Sequence, residues 1–426
     1  MSKKTTLIEG KYNKAIIFTD IIDKSAIDQI KSLLNLEYFK DSKISIMPDV
    51  HAGAGCVIGL TMTLNNYVIP NLVGVDIGCG MLTMKINKSN LKEKINQKIL
   101  VDLNGEININ FEMFDNFIKK NIPSGFDKNK NIDERINNND KFIEDIIKIH
   151  VKDLYKNNDL KINKIENLDS FIDKVIKISE KVNINPEEQL RAIGSLGGGN
   201  HFIEIDIDDE KNLYIVIHTG SRHFGWQIAN FHQNKAKRYC EKKGYKVQNS
   251  LAFLEGIEKE EYLNDMLIAQ LYAKINRFII ALRILNYLNL DIKEISYFET
   301  IHNYINFKDK IIRKGAISAY KGEKVLIPLN MRDGSLICIG KGNLDWNFSA
   351  PHGAGRIMSR NEAKKKLSLN DFKESMKGIF STTISKDTID EAPFVYKPIN
   401  EIIERISDTV EIEKIIKPIF NFKAPE

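Results

Sequence analysis

Apolar residues recur at helical spacing through one long stretch of the chain, from Glu261 to Leu288. Residues three or four apart lie on one face of a helix, so this stretch predicts a long helix with an apolar face. The apolar positions are Leu263, Met266, Leu267, Leu271, Ile275, Phe278 and Ile279. Asn276 and Arg277 interrupt the later part of the pattern, and one interpretation makes them solvated or capping groups.

Short β-branched runs bounded by glycine dominate several other segments. They occupy residues 44–84 and return at 194–205, 215–227 and 315–358. Runs of this kind predict strands that feed into loops.

Residues 86–190 separate these glycine-rich segments and differ from them in composition. Lys, Asn, Ile, Asp and Glu dominate there, which indicates surface helices and loops, and the piece DERINNNDKF is typical of a loop. Because glycine-rich motifs lie on both sides, we expect one composite α/β domain over residues 1–426. We expect this domain to consist of mixed sheets with surrounding helices. Residues 86–190 would form a polar, mainly helical variable insertion in it.

Composition and charge narrow the class of protein only slightly. The hydrophobic fraction of 42% and the charged fraction of 28% are ordinary for a globular chain. A net charge of +5 in 426 residues is mildly basic, and is compatible with a polyanionic partner without requiring one.

The cellular compartment is indicated by several absences in the sequence. The four cysteines show no paired spacing, so a disulfide framework is not expected and a reducing compartment is favoured. The N-terminus has no apolar signal region, and the apolar run FIIALRIL is broken by Arg283 and too short to span a bilayer. We therefore expect a cytoplasmic protein.

The histidines are placed unevenly along the chain. Five of the eight lie in or beside glycine-rich or strand-to-loop segments: His51, His201, His218, His302 and His352. His223 follows closely in SRHFG, whereas His150 and His232 fall on predicted helices. A single histidine at a strand end is usually structural, but loops at strand ends are also where a rigid scaffold presents catalytic groups.

The stretch GVDIGCGM adds a carboxylate, Asp76, and a thiol, Cys79, to these imidazoles. Together, one carboxylate, one thiol and several imidazoles make a metal-ligand set whose candidates are widely separated along the chain, so the whole fold must assemble it. That favours a catalytic metal site over a structural clip. Thiolate and imidazole suit zinc, while the carboxylate and a bridging thiolate leave manganese open. The flanking glycines would let the backbone pass close to metals and phosphates.

Other segments have the composition of phosphate sites. GSLGGGNH offers successive backbone N–H groups for an anion nest, and HTGSRHFG and HGAGR add Arg222 and Arg356. RKGAISA contributes Arg313 and Lys314. Each segment alone could be a tight turn, but several glycine segments carrying His or Arg favour phosphate together.

Six motifs, in this order, resemble the RtcB family of GTP- and manganese-dependent RNA-splicing ligases: MPDVHAGAG, VGVDIGCGM, GGGNHFIEI, HTGSRHFG, RKGAISA and HGAGR. The resemblance runs from about Met47 to the C-terminus and is weakest across the polar middle. It implies an enzyme that joins an RNA end bearing a 2′,3′-cyclic phosphate or 3′-phosphate to a 5′-hydroxyl end. A histidine would be guanylylated by GTP, GMP would pass to the RNA 3′-phosphate, and the 5′-hydroxyl would displace it.

The resemblance also implies roles for individual residues. His352 would be the nucleophile, Asp49 a residue important for activity, and Arg222 an RNA-phosphate contact. Cys79 would bridge two Mn²⁺ ions, and the full metal set is Asp76, Cys79, His201, His218 and His302. Asp76 and His201 would complete the ligand set of one ion, and His218 and His302 that of the other. The nucleotide contacts would be Asn200, Glu204, Asn330, Ser335, His352, Gly353, Ala354, Gly355, Arg356 and Lys423, with Glu204 on the guanine.

The chain departs from the family pattern in three places. PLNMRDG stands where the family commonly has PGSMG, HTGSRHFG where it has HSGSRG, and Lys423 is followed by APE where Lys-Gly is frequent. A divergent branch is therefore expected, and both tRNA splicing and RNA repair stay open. The expected partners are RNA (tRNA halves or broken RNA), GTP and an archease-like accessory protein, and the expected state is a monomer with no membrane contact.

Two other functions are compatible with the same residues. The metal set could activate water in an RNA phosphoesterase or cyclic phosphodiesterase that has lost ligation. A non-catalytic RNA-binding protein is the third hypothesis, and the modest net charge argues against it.

Overall fold

Helices and strands build the computed structural model, which describes residues 5–87, 98–101, 107–152 and 163–424. The described strands are, in chain order, β1 (Thr6–Glu9), β2 (Lys14–Ile17), β3 (Ile44–His51), β4 (Ile58–Thr63), β5 (Tyr67–Val68), β6 (Gly80–Ile86), β7 (Ile99–Val101), β8 (Ile107–Ile109), β9 (Phe202–Ile207), β10 (Leu213–Thr219), β11 (Leu254–Glu255), β12 (Ser296–Ile301), β13 (Asn303–Asn306), β14 (Ile311–Lys314), β15 (Ala316–Ser318), β16 (Lys324–Asn330), β17 (Gly334–Gly340), β18 (Ser349–Pro351) and β19 (Val410–Lys423). The described helices are α1 (Lys24–Leu34), α2 (Phe111–Asn121), α3 (Glu134–Asn137), α4 (Lys141–Lys152), α5 (Leu168–Lys181), α6 (Pro186–Ala192), α7 (Arg222–Lys243), α8 (Gly256–Tyr287), α9 (Arg360–Lys366), α10 (Leu369–Ser375) and α11 (Ile399–Ile406). The predicted α/β class is confirmed.

Two large sheets carry most of the strands. One has six strands in the order β1-β2-β3-β4-β14-β13, and the other has seven in the order β12-β6-β10-β9-β19-β17-β16. Of the described pairs, β2 and β3 run parallel and the others in these two sheets run antiparallel. The prediction of mixed sheets is therefore confirmed.

The register of the seven-stranded sheet brings distant residues to one edge. Gly80, which begins β6, lies opposite Thr219 at the end of β10 and Ile301 at the end of β12. Antiparallel pairing places the start of one strand beside the ends of its neighbours. The residues next to this row are Cys79, His218 and His302, so the sheet itself gathers them.

Helix α8 is the central helix, and it is longer than the sequence pattern predicts. It begins at Gly256 instead of Glu261 and is buried on almost every side from Tyr262 to Leu285. A helix that is buried all round needs few polar faces. The interpretation of Asn276 and Arg277 as solvated or capping groups is wrong, because both residues lie in the middle of α8 and their side chains are fully buried in the protein.

The described part of the polar middle region contains helices α2 to α6. Its helix ends follow ordinary capping rules: the Asn110 side chain accepts from the Met113 N–H, and the Asn167 side chain accepts from the Ser170 N–H. The prediction of a loop for DERINNNDKF is partly wrong, since α3 occupies Glu134–Asn137 with Asp133 as its N-cap. Among the helices of the described ranges, none is long and apolar enough to cross a membrane.

Candidate metal centre and nucleotide cavity

Three donor side chains meet where β6 begins and β10 and β12 end. Cys79 Sγ lies 3.3 Å from His218 Nε2, and the rings of His218 and His302 are 5.2 Å apart between centroids. One donor atom from each of the three lies within 4.8 Å of the others. This spacing suits a single metal ion that all three ligate at about 2.0–2.3 Å.

A second donor group shares the same thiol. His201 Nε2 is 3.5 Å from Cys79 Sγ and 3.0 Å from Asp76 Oδ2, and donors of the three residues again lie within 4.8 Å of one another. The structure therefore brings together all five predicted metal ligands, as two groups joined through Cys79.

In His201 and His218, a hydrogen bond from Nδ1 fixes the ring so that Nε2 faces the thiol. Nδ1 of His201 lies 2.9 Å from the Leu196 carbonyl, and Nδ1 of His218 lies 3.1 Å from the Asn200 carbonyl. A carbonyl can only accept, so both Nδ1 atoms carry a proton and both Nε2 atoms face the cluster. His302 Nδ1 is buried with no hydrogen-bond partner among the described residues.

The charge states of these side chains also suit a cation. Burial lowers the pKa of His218 and of His302 well below the usual value, so both rings are neutral and able to ligate. Burial opposes ionisation of Asp76, but its hydrogen bond with His201 and the charge of that ring lower the Asp76 pKa to about 2. Burial and the Asp76 charge raise the pKa of Cys79 well above its usual value. The residues present therefore fit a metal centre that takes up its ions with loss of the thiol proton.

A histidine–aspartate pair lies next to this cluster. His352, just after β18, places Nδ1 2.7 Å from Asp49 Oδ2, and Asp49 in β3 is fully buried. The His352 ring is 5.1 Å from that of His302 between centroids. A buried carboxylate at Nδ1 holds the proton there and leaves the Nε2 lone pair available.

These groups open into one cavity of about 320 Å³. The predicted site residues that line it are Asp76, Cys79, Asn200, Glu204, His218, His302, Asn330, His352, Gly353, Ala354, Gly355, Arg356 and Lys423. Four predicted residues lie outside this lining: Asp49, His201, Arg222 and Ser335. Asp49 contacts the lining residue His352, and His201 contacts the lining residue Asp76.

One wall of the cavity is organised by Glu391, which sequence reasoning missed. Its carboxylate lies 2.8 Å from Lys423 Nζ and 3.2 Å from an Arg356 nitrogen, and accepts from the Tyr396 hydroxyl at 2.7 Å. Burial opposes its ionisation, but the Lys423 and Arg360 charges lower the Glu391 pKa to about 2. Glu391 thus holds two predicted nucleotide-contact cations in place.

A second missed residue supports Glu204. Asn421 Nδ2 donates to Glu204 Oε1 at 2.6 Å, and both side chains are buried. Burial raises the Glu204 pKa, while Asn421 and the Lys423 charge act against the rise. Neither Glu391 nor Asn421 lies in a glycine-rich segment, so the signal that marked the other candidates was absent at these positions.

Of three further predicted contacts, two have other partners in the structure and one has no described partner. The Asn330 side chain accepts from the N–H groups of Arg332 and Asp333, so it closes its own turn. The Ser335 hydroxyl is buried with no hydrogen-bond partner among the described residues. The Arg222 guanidinium donates to the Gly125 carbonyl at 2.8 Å and to the Ser195 hydroxyl at 3.1 Å.

Asn276 and Arg277 of α8 bind backbone groups of the loops that carry the metal ligands. Asn276 accepts from the Gly194 N–H at 2.7 Å and donates to the Ser195 and Gly220 carbonyls at 3.1 Å each. Arg277 donates to the carbonyls of Gly78 and Thr219 and is paired with Glu299. Helix α8 therefore fixes the backbone on which the ligands stand.

We expect Asn276→Leu to lower the free energy of unfolding by about 3–5 kcal/mol, because several buried backbone groups lose their partners together. Urea denaturation checks this. The matched control is Asn286→Leu on the same helix, where the side chain is exposed and the expected change is within about 0.5 kcal/mol. Equal stability of the two variants would contradict the role given to Asn276.

The glycines around Cys79 serve packing rather than access to the cavity. A Cβ at Gly78, whose φ is +73°, would lie 2.9 Å from the Gln270 Cα in α8. A Cβ at Gly80 would lie 2.5 Å from the Thr300 carbonyl oxygen in β12. The expectation that these glycines make room for metals and phosphates is corrected in favour of close backbone packing.

A third cluster of possible ligands has a different character. His232, Glu261 and Asp265 place donors within 4.8 Å of one another, with His232 Nε2 2.6 Å from Asp265 Oδ2. Lys181 and Lys235 are already ion-paired with these carboxylates. Two ammonium groups occupy the place of a cation, so this cluster is an ion-pair network.

Known proteins match this chain over most of its length. A sequence model of the family described as "tRNA-splicing ligase RtcB" matches residues 29–424. The chain belongs to the RtcB family. The RNA-splicing ligase RtcB of Escherichia coli (strain K12) is 30% identical over 395 residues, covering 87% of each chain. The tRNA-splicing ligases RtcB of Aeropyrum pernix and Nanoarchaeum equitans are 26% and 28% identical, covering 94% and 87% of this chain and 92% and 85% of their own. At these identities the chain is a divergent member of the RtcB family, as its departures from the motifs predict.

Proposed function

We propose that this protein is an RNA ligase that joins a 2′,3′-cyclic-phosphate or 3′-phosphate RNA end to a 5′-hydroxyl end, using GTP. The relatives named above are RNA- and tRNA-splicing ligases. The observation that carries the proposal is the His352–Asp49 pair beside two donor groups that share Cys79. A nucleophile next to a two-cation site is what nucleotidyl transfer to and from phosphate needs.

In the proposed first step, His352 acts as the nucleophile on GTP. Asp49 keeps the proton on Nδ1, so the Nε2 lone pair attacks the α-phosphorus, a P–N bond forms and pyrophosphate leaves. The P–N bond between GMP and the imidazole breaks readily, so the nucleotide can be transferred onward. Two Mn²⁺ ions, held by Asp76, Cys79 and His201 and by Cys79, His218 and His302, would neutralise phosphate charge and align the displacement.

The later steps use the same cavity. The RNA cyclic phosphate is opened by water to a 3′-phosphate, whose oxygen attacks the phosphorus bound to His352 and releases the imidazole. The 5′-hydroxyl then attacks the RNA 3′-phosphorus, and GMP leaves. Arg356 and Lys423, fixed by Glu391, would face negative charge that develops during these exchanges.

Glu204 is the proposed selector for guanine. As a carboxylate it accepts from the guanine N1–H and exocyclic amine, a pair that adenine does not offer. Asn421 already donates to one of its oxygens and so fixes the orientation of the other.

We expect Glu204→Gln to raise the KM for GTP roughly 10- to 150-fold, the size of one hydrogen bond to a charged group. Discrimination against ATP should fall with it. Labelling kinetics with GTP and ATP measure both effects, and Glu210→Gln, an exposed change beyond the same strand, should alter neither. Since burial raises the Glu204 pKa, GTP binding should also weaken as the pH is lowered. Unchanged nucleotide preference in Glu204→Gln would place the guanine elsewhere.

The biological setting belongs to the proposal as well. The RNA is proposed to be tRNA halves in splicing, or broken RNA in repair, in the cytoplasm. The protein is proposed to act as a monomer, with an archease-like protein as an accessory.

A joining assay tests the function against its main alternative. One RNA ends in a 2′,3′-cyclic phosphate and the other begins with a 5′-hydroxyl, and both are incubated with GTP and Mn²⁺. The proposal predicts a joined product that requires GTP. Phosphate opening or release without joining would instead identify a phosphoesterase, and RNA binding without any chemistry would identify a binding protein.

A further inference from the structure

Three exposed aromatic side chains lie on two segments that the Arg222 side chain joins. Phe126 is 93% exposed and Trp226 is 46% exposed. The rings of His223 and Trp226 are 5.7 Å apart between centroids and only 20° from parallel. Exposed large apolar groups that cluster beside a functional site commonly mark a binding surface.

The loop that carries Phe126 is held firmly by its backbone. The Gly125 N–H donates to the Gly197 carbonyl at 2.7 Å, and the Leu196 N–H donates to the Pro123 carbonyl at 2.8 Å. The Arg222 guanidinium donates to the Gly125 carbonyl. The exposure of Phe126 is therefore imposed by an ordered loop and is not the result of a loose one.

These attachments place the aromatic group at the Asp76–His201 end of the metal centre. The Leu196 carbonyl accepts from His201, and a Cβ at Gly197 would lie 2.7 Å from the His201 Nδ1. Helix α7, which carries His223 and Trp226, begins at Arg222, and the Arg222 charge acts on Asp76. None of these three described aromatic residues lines the nucleotide cavity.

The charges around the aromatic group are suited to a phosphate chain. Arg222, the first residue of α7, donates to the Gly125 carbonyl next to Phe126, and the charge of Lys128 acts on His223. Lys128 is itself bonded to Glu188. Aromatic faces next to guanidinium and ammonium groups are the combination that binds single-stranded nucleic acid without reading its sequence.

We propose that Phe126, His223 and Trp226 form a stacking platform for unpaired bases of the RNA next to the end that is joined. The inference rests on the proposed function for the identity of the RNA. It adds a place where the strand is held outside the cavity, at the metal-ligand end. Bases stack on aromatic side chains in any sequence, so the platform would tolerate many RNA ends.

Tryptophan fluorescence offers a direct test because the chain has only two tryptophans. Trp346 is 2% exposed and stacked on Phe18, so Trp226 is the one that RNA can reach. A single-stranded oligoribonucleotide with a 3′-phosphate should quench the emission in a saturable way. The quench should be absent in Trp226→Phe, while RNA affinity in that variant stays near the wild-type value because the ring is kept.

Affinity and turnover complete the experiment. Trp226→Ala and Phe126→Ala should each weaken RNA binding roughly 5- to 150-fold, the range measured for loss of one stacked base, and should raise the KM for RNA. Covalent labelling of His352 by GTP should not change in either variant. Tyr297→Ala removes another partly exposed aromatic ring, 39% exposed at the far end of β12, and should leave RNA binding intact.

The outcomes separate the platform from the ligase proposal. RNA quenching of Trp226 without GTP labelling would support the platform and overturn the ligase function. Labelling and joining with no quench, and with wild-type RNA affinity in Trp226→Ala and Phe126→Ala, would overturn the platform alone.

Discussion

Replacing Cys79 by alanine is expected to abolish metal binding and guanylylation together. Its sulfur is the donor shared by the two ligand groups, so both sites lose a ligand at once and the remaining groups also lose a neutralising charge. Metal analysis of the purified protein should show two bound ions in the wild type and fewer than one in Cys79→Ala. Labelling with GTP should fall below detection in the same variant.

A matched control separates this effect from the loss of a buried thiol. Cys338 is fully buried in β17, as Cys79 is beside β6, but it belongs to neither donor group. Cys338→Ala should therefore keep both metals and full labelling. A Cys79→Ala protein that retains two ions and labels normally would contradict the shared-thiol centre.

The same thiol sets the pH dependence of metal binding. Burial and the Asp76 charge raise the Cys79 pKa, so the metal-free protein carries a protonated thiol near neutral pH. Coordination needs the thiolate, and binding therefore releases a proton. Metal affinity should rise with pH and fall as the solution is made acidic.

Asn in place of Asp49 is expected to slow guanylylation by about 10⁴-fold, the loss seen when a buried carboxylate that orients a catalytic histidine is made neutral. The amide can donate to Nδ1, which moves the ring proton to Nε2 and removes the attacking lone pair. Metal content should stay at the wild-type value, since Asp49 contacts His352 and no metal ligand among its described hydrogen bonds.

Single-turnover labelling measures this effect, with metal analysis of the same samples. Asp345→Asn, an exposed carboxylate elsewhere, is the control and should label at the wild-type rate. A normal rate in Asp49→Asn would mean that the 2.7 Å contact does not orient the nucleophile.

The metal ligands were predictable because they sit at strand ends. Glycine-bounded apolar runs identify strands, and in an antiparallel sheet the ends of β10 and β12 meet the start of β6. Chemistry-bearing residues just beyond such ends, here Cys79, His218 and His302, therefore come together. Local sequence therefore points to the strand ends, and the resemblance to the RtcB family selects these ligands from the wider set of candidate histidines.

The supporting residues were not predictable in the same way. Asn276 and Arg277 interrupt a helical pattern, and periodicity gives the buried face of a helix but not what lies against it. Their partners, such as Gly78 and Gly220, are far away in the chain. The same holds for Glu391, whose ion pairs with Arg356 and Lys423 depend on three separate segments.

The prediction of a loop for DERINNNDKF failed because of a contact with a distant residue. Asp133 caps α3 and is also bound by Arg283 of α8 at 2.7 Å. Tertiary pairing thus stabilises one helical turn that Asn-rich composition disfavours. The local composition of this segment does not show that Arg283 will pair with Asp133.

The most direct measurement is covalent labelling by α-³²P-GTP in the presence of Mn²⁺, on the wild type and on His352→Ala. We expect an acid-labile label on the wild type and none on His352→Ala, with both proteins holding two metal ions. No label on the wild type, or an undiminished label on His352→Ala, would contradict it.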